Sequence, residues 1–304
     1  GIRDKLVTGV QTCALPIYRP SRHSTVFDVV PREIVPKAVA FNVMGNSSMR
    51  VLGPAMAGFL IAAIGAAGNF FIQGLLYHGS GLLAYLVIFP PKKPVTGKVS
   101  AWGELKAGLG YVASDRTTRL LMSITGIQYF LLVPVFNTLF PVYAKDIYRV
   151  GPEGLGLMFT MVGVGGVIGA GTASALMRFD RIGLIQTGAM LVYCAALVGL
   201  ALSPSYYLAL AMCSLAGAAE MVNSVNNQTM LQMSAPADMR GRVVSLIQLN
   251  PALIALGSLV AGSLGDGVGA PGACVTVASL SAALILGLLM ASPHLRSLRL
   301  SQYR

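Results

Sequence analysis

The chain alternates between long apolar stretches and short polar segments. Eight of the stretches are long enough to cross a bilayer as helices, since a spanning helix needs about 20 mostly apolar residues. They lie at 39–63, 69–89, 118–144, 154–177, 183–203, 206–233, 243–264 and 272–291. Connections such as 66–68 and 203–205 are so short that neighbouring helices have to run antiparallel. The pattern predicts an all-α, polytopic membrane helix bundle.

One long polar segment, residues 90–117, separates the first two predicted spans from the remaining six. It contains the sequence PPKKP and, further along, KAGLGYVASDRTTR. Domain boundaries fall in exposed polar linkers of this kind. We therefore predict that the chain divides here.

The composition supports a membrane protein. Hydrophobic residues make up 55% of the chain, charged residues 11%, and the mean hydropathy is +0.69. A soluble domain carries about 25% charged residues, because its surface faces water. The four cysteines are scattered, so their spacing suggests neither a disulfide framework nor a zinc site. An ordinary soluble enzyme is excluded, and no cofactor is expected.

The net charge of +11 has a topological explanation. Apart from Arg3, Lys5 and Arg50, seventeen basic residues fall on one side of the predicted bundle, and two, Lys145 and Arg149, on the other. Lys and Arg concentrate in cytoplasmic loops, so both ends of the chain are expected in the cytoplasm. These charges suit the anionic lipid of a bacterial inner membrane. They are spread over five segments, whereas a nucleic-acid surface would be one contiguous patch, so no nucleic-acid partner is expected.

Two regions of the chain repeat at an offset of 204 residues. Leu52–Gly58 (LGPAMAG) corresponds to Leu256–Gly262 (LGSLVAG), and Gly65–Gly68 (GAAG) corresponds to Gly269–Gly272 (GAPG). If the first two spans repeat the last two, the intact protein has four further helices before Tyr18. Paired six-helix halves of this kind are the architecture of major facilitator transporters.

Four segments also resemble that superfamily directly: 29–60, 101–116, 151–170 and 217–246. They are similar to its bacterial exporter branch, the group that includes the enterobactin exporter, and the resemblance covers 25–291. It implies the major facilitator fold with eight of twelve transmembrane helices present. The implied divisions are 18–89 as helices five and six, 90–117 as the cytoplasmic linker, 118–291 as the second half and 292–304 as a cytoplasmic tail.

The N-terminal stretch is expected to be foreign to the protein. The run Val7–Ile17, VTGVQTCALPI, resembles a translated sequencing adapter. Residues 1–17 are therefore set aside as adapter-derived, and a native polar N-terminus is the alternative.

Glu220 is the acidic residue placed deepest in a predicted span. A carboxylate at the bilayer centre costs at least about 2.5 kcal/mol, which makes it a candidate for function. Asn223, Asn227 and Gln228 follow on the same helix and predict a polar stripe that faces the bundle. Proton or substrate coupling is one interpretation, and a structural hydrogen-bond hub between helices is the other.

Further candidates are less specific. Arg50 lies inside the first span. It either faces the cavity as an anion-binding or gating charge, or it snorkels towards the membrane surface or pairs locally. Polar residues that could line a cavity, or else make helix-packing contacts, are Gln128, Tyr129, Asn137, Gln248 and Asn250. Pro134, Pro141 and Pro251 could interrupt their helices around a site.

Two motifs resemble gating elements of the superfamily. The segment with Gly53, Pro54 and Gly58 is similar to the glycine-proline signature of antiporters, although Ala57 stands where glycine is usual. The segment 179–183 resembles the D-R-x-G loop motif. The charges Asp180, Arg181, Arg240 and Arg242 predict a cytoplasmic latch, and a plain positive-inside loop is the alternative for the arginines.

These observations favour secondary active transport, with protons and a small amphipathic molecule, drug-like or siderophore-like, as partners of a monomer. No P-loop sequence is present, so direct ATP coupling is not expected. A membrane-embedded enzyme would need a cluster of catalytic side chains across helices. A non-transporting sensor or scaffold, or an inactive fragment, remains the alternative.

Overall fold

A computed structural model describes residues 35–86, 101–176, 179–236, 239, 242–243, 246–247 and 249–299, with some helical side chains excepted. The predicted adapter-derived stretch lies outside these residues. Eight helices are described: α1 Val35–Tyr85, α2 Ala101–Ser114, α3 Arg116–Ile147, α4 Gly151–Leu176, α5 Ile182–Ala201, α6 Tyr206–Ser234, α7 Asn250–Ala291 and α8 Pro293–Ser297. The described part of the chain contains no strand.

The chain forms two compact units. One comprises residues 1–49 and 60–98, and the other comprises 50–59 and 99–304. Five helices of the second unit are long and apolar enough to cross a membrane: α3, α4, α5, α6 and α7. The all-α membrane bundle is therefore confirmed, while the total of eight spans stays a prediction.

Helices α1 and α7 each contain one break, and the breaks fall on repeated glycines. Gly65 has φ 72° and ψ 170°, and Gly269 has φ 76° and ψ 159°. This region of backbone space is essentially confined to glycine, because a Cβ would clash there. The two glycines are related by the 204-residue offset, so the sequence repeat corresponds to a repeated backbone conformation. Each break separates two of the predicted spans.

Helix α3 departs from regular α geometry twice. Two segments, Gln128–Leu132 and Tyr143–Ile147, form π-helical turns. In a π turn the backbone N–H bonds the carbonyl five residues earlier, and not the one four residues earlier. Between them, Pro134 and Pro141 lack the N–H that an α-helix would use. The prolines therefore distort this helix without ending it. Pro251 stands in the first turn of α7, where no backbone N–H is required. The chain turns at Leu249, inside the predicted span 243–264, so helix α7 begins beside Pro251.

Helices α4 and α6 pack through glycines. A Cβ added at Gly165 or Gly169 of α4 would overlap the carbonyl oxygens of Ser214 and Ala218, and one added at Gly217 of α6 would overlap that of Val162. Small residues allow membrane helices this close approach. The core beside them contains Phe136, Phe140, Tyr143 and Tyr193, among other side chains. This packing fixes the position of α6, which carries Glu220.

Short connections hold the ends of the helices. Asp115 caps α3 at its start, where its carboxylate accepts a hydrogen bond of 2.6 Å from the Thr118 N–H. On the opposite side, the Tyr148 hydroxyl donates to the Ser203 carbonyl at 3.2 Å. Burial raises the pKa of Tyr148 above its ordinary value, so this hydroxyl remains a donor at neutral pH.

The C-terminal segment packs against the first turns of α3 and α5. Leu295 and Leu298 are buried, and Leu298 packs in a cluster with Leu121 and Ile182. The Thr117 hydroxyl and His294 Nε2 lie 2.8 Å apart in a hydrogen bond. Helix α2, within the predicted linker, reaches the same region through Tyr111.

Candidate functional site

Glu220 lies midway along α6 and is 6% exposed. The close contact between α4 and α6 described above lies within one turn of Glu220, at Gly217 and Ala218. A carboxyl group in such a place is costly unless it is neutralised or compensated, so its retention points to a role. The sequence-based expectation that Glu220 is buried within the bundle is confirmed.

The predicted polar stripe of α6 is partly correct. Asn223 and Asn227 are both buried, with Asn223 fully so. Gln228, in contrast, is exposed, so it does not share the buried face of Asn223 and Asn227. The reason is helical geometry: at about 100° a residue, position 228 lies about 140° around the helix from position 223.

Asn223 connects α6 to the first π turn of α3. Its Nδ2 donates to Gln128 Oε1 at 2.5 Å, and Gln128 Nε2 donates in turn to the Ser224 hydroxyl at 3.3 Å. Gln128 is buried and is the first residue of that π turn. Single π turns inside α-helices are frequent at functional sites.

Asn227 connects α6 to both α3 and α5. Its Oδ1 accepts from Gln186 Nε2 at 2.8 Å, and its Nδ2 donates to the Thr125 hydroxyl in a short hydrogen bond. The Thr125 hydroxyl donates to the Leu121 carbonyl at 3.0 Å. We call these side chains the amide cluster; its members are Thr125, Gln128, Gln186, Asn223, Ser224 and Asn227.

Sequence reasoning missed half of this cluster. Gln186 could have been identified from the sequence, because it is a polar residue within the apolar stretch 183–203. Thr125 and Ser224 had none, since a hydroxyl that bonds the preceding turn of its own helix is common in membrane helices. Asn226 was also missed: it is 1% exposed, and neither polar atom of its side chain has a hydrogen-bond partner among the described residues.

The remaining candidates lie on helices other than α6 or outside the described residues. Tyr129 is half-buried, Asn137 is exposed, and Asn250 is buried at the first turn of α7. The backbone positions of Arg50, Pro54 and Gly58 fall within α1, but their side chains lie outside the description, as do Gln248 and Arg240 entirely. A Cβ added at Gly53 would meet nothing within 4 Å.

The cytoplasmic latch stays a prediction. Arg181 is exposed and Asp180 is partly buried. Arg242 Nη1 lies 3.2 Å from the Met239 sulfur, and its backbone carbonyl packs near Gly108 of α2. These contacts place Arg242 beside helix α2.

Comparisons with known proteins agree with a transporter. The chain is 28% identical over 226 residues to the multidrug efflux pump Tap of Mycolicibacterium fortuitum, covering 72% of the chain and 54% of Tap. It is 26% identical over 251 residues to the staphyloferrin A transporter of Staphylococcus aureus, covering 79% and 60%. It is 27% identical over 273 residues to the enterobactin exporter EntS of Escherichia coli, covering 86% and 62%. The chain thus spans between 54% and 62% of the length of these relatives.

A solved structure shows the same fold. The bacterial homologue of the human lysosomal transporter Spinster, in an inward-facing and unoccupied conformation, superposes with a TM-score of 0.56 at 15% identity. The superposition covers 91% of this chain and 73% of that one. At this identity, the likeness supports the fold alone.

A family model described as transmembrane secretion effector matches residues 5–303, nearly the whole chain. This match shows that the chain belongs to the transmembrane secretion effector family of the major facilitator superfamily.

Proposed function

We propose that the complete protein is a proton-coupled secondary exporter that works by alternating access. The observation that carries this proposal is Glu220, a carboxyl group buried midway along a spanning helix. A carboxyl group in that position can hold a proton in one conformation and release it in another, when its surroundings change.

The amide cluster supports the same proposal. It lies one to two turns from Glu220 along α6 and joins that helix to α3 and α5. A change in the charge of Glu220 would therefore act next to hydrogen bonds between three helices. Alternating access requires helices whose contacts can switch between two arrangements.

The substrate is proposed to be a small amphipathic molecule. The relatives bear the names of a multidrug efflux pump, a staphyloferrin A transporter and an enterobactin exporter. Drug-like and siderophore-like molecules are therefore the first classes to test. The described helices carry both exposed apolar side chains and buried amides, the two kinds of group that such ligands contact.

The location is proposed to be the bacterial inner membrane, with both ends of the chain in the cytoplasm. We predict that cysteines introduced at Ser114 and Ser205 react with a membrane-impermeant thiol reagent from opposite sides. Both positions are exposed and precede spanning helices, α3 and α6, that run in opposite directions. The measurement is labelling of intact cells and of inverted vesicles; reaction of both cysteines in intact cells would contradict the orientation.

The proposed function is tested by transport in proteoliposomes that contain the product of the complete gene. A pH gradient imposed across the vesicle membrane should drive accumulation of a tested drug or siderophore. Collapse of the gradient with a protonophore should remove the accumulation but leave exchange of internal for external substrate. A membrane sensor or scaffold would show neither activity, and gradient-independent transport would refute proton coupling.

A further inference from the structure

We propose that residues 292–299, which we call the C-terminal strap, fasten the ends of helices α3, α5 and α7 to one another, and that transport requires the strap to be docked. Gly183, the glycine of the D-R-x-G-like segment, is the seat of the strap on α5. The docking stands on contacts within the described chain, whereas its consequence for transport rests on the proposed function.

The strap is held to the end of α7 by Arg296. Helix α7 ends at Ala291, and the short helix α8 follows directly after Ser292. The Arg296 guanidinium donates from Nε to the Leu289 carbonyl at 2.7 Å and from Nη2 to the Met290 carbonyl at 3.1 Å. These carbonyls belong to the last turn of α7, where helical partners are lacking and positive charge is favoured. The strap is therefore anchored to the helix that it follows.

The second attachment is to the beginning of α3. The hydrogen bond between the Thr117 hydroxyl and His294 Nε2, described above, joins the strap to the first turn of this helix. Leu298, four residues further along the strap, is 2% exposed and packs in one cluster with Leu121 of α3. Burial of leucine side chains is a main source of stability. The strap is thus packed onto the bundle and not merely tethered to it by polar contacts.

The third attachment is to the N-terminus of α5, at Gly183. Helix α5 begins at Ile182, and its N-cap residue, Arg181, makes no side-chain capping hydrogen bond. The Gly183 N–H is one of the groups that a helix leaves without an internal partner, and it donates to the Leu298 carbonyl at 3.4 Å. A Cβ added at Gly183 would overlap the Leu295 carbonyl oxygen. A glycine is what allows the backbone of the strap to come this close.

These three attachments have a consequence for movement. Alternating access in transporters built from repeats is largely a rigid-body movement of one bundle against another. Helices α3, α5 and α7 can take part in such a movement only if their ends keep their positions relative to one another. The strap contacts all three of these ends, so we infer that it keeps them together while the bundle moves.

A substitution at Gly183 separates this proposal from a purely local role. Alanine is a better helix former than glycine, so Gly183→Ala would stabilise α5 if nothing packed against it. With the strap docked, the added methyl group meets a backbone carbonyl, which cannot rotate away as a side chain can. The strap must then shift or detach. Gly188→Ala, on the same helix with no atom within 4 Å of the added Cβ, is the matched control.

The first experiment is limited trypsin digestion of the purified complete protein in detergent, with mass spectrometry of the released peptides. Trypsin needs an unpacked chain, so cleavage after Arg296 reports the population in which the strap is detached. Gly183→Ala is expected to increase this cleavage rate by about tenfold, because an overpacked contact favours the opened chain. Gly188→Ala should be cleaved at the wild-type rate. Equal cleavage of all three proteins would overturn the docking.

The second experiment measures exchange of internal for external substrate in proteoliposomes, with the dye ethidium and the siderophore enterobactin as probes. Exchange requires alternation but no proton gradient. Gly183→Ala is expected to lower the exchange rate by about tenfold, the same factor by which it detaches the strap, and Gly188→Ala should keep the wild-type rate. Wild-type exchange by a Gly183→Ala protein whose strap is cleaved rapidly would refute the requirement for docking.

A shortened chain tests whether Gly183 acts through the strap. A chain that ends after Ser292 should exchange slowly, and Gly183→Ala should slow it no further, because the carbonyl that it would meet is gone. A further loss would give Gly183 a local role and overturn its assignment as the seat. If the shortened chain does not fold, the two full-length glycine variants still decide the proposal. Absence of exchange by the wild-type protein would count against the proposed function, while digestion would still decide the docking.

Discussion

Replacing Glu220 with glutamine is expected to abolish proton-driven accumulation while leaving substrate exchange intact. Glutamine keeps the shape and much of the hydrogen-bonding capacity of a protonated glutamate, but it cannot release a proton. Exchange down the substrate's own gradient needs the protein to alternate, not to move protons. Accumulation driven by an imposed pH gradient should therefore fall to background, with exchange near the wild-type rate.

The matched control is Glu153→Gln, the same chemical change at an exposed position in the first turn of α4. It should leave both activities unchanged. If Glu220 were a structural hub, glutamine would serve about as well, since interhelical hydrogen bonds in membranes contribute only about 0.6 kcal/mol on average. Wild-type accumulation by Glu220→Gln would thus move the coupling role to another residue.

The second large effect is expected at Gly257, where α7 crosses the first π turn of α3. A Cβ added there would overlap the Phe130 carbonyl oxygen and lie 2.6 Å from Pro134 Cγ. Pro134 has no N–H, so it cannot donate the usual helical hydrogen bond to the Phe130 carbonyl. The absence of a side chain at Gly257 allows α7 to approach this carbonyl closely.

Gly257→Ala is therefore expected to destabilise the protein by about 1–3 kcal/mol, the usual cost of overpacking, because the clash is with backbone that cannot rotate away. The measurement is the Tm of the purified complete protein, together with its yield as a monodisperse species. Gly287→Ala, on the same helix with no atom within 4 Å of the added Cβ, should show no such loss. An equal Tm for both variants would mean that α7 does not approach α3 in this way.

The spanning helices of the second unit could be predicted from length and apolarity because lipid imposes both. The stretches 183–203 and 206–233 correspond closely to α5, Ile182–Ala201, and α6, Tyr206–Ser234. The boundary between them is set locally: the Ser205 hydroxyl accepts a hydrogen bond from the Leu208 N–H and so caps α6. No tertiary information is needed for either feature.

The candidate site was less predictable because it depends on how helices face one another. Glu220, Asn223 and Asn227 could be found from a single helix, but the contact of Asn227 with Gln186 depends on the packing of α5 against α6. The different exposure of Gln228 could be found from the helical period, since it lies about 140° around the helix from Asn223. The π turns of α3 were not predicted, since a π turn reflects tertiary contacts and has no simple sequence signature.

The break at Gly269 also has a practical consequence for anyone who studies the protein in cells. Only one residue departs from helical geometry there, so the two arms of α7 are joined by almost no chain that a protease, an antibody or a glycosylating enzyme could reach. An epitope inserted at this position would have to push the two helical parts of α7 apart in order to be displayed. Insertion scanning would therefore detect no accessible loop within Asn250–Ala291, although the sequence predicts two spans there.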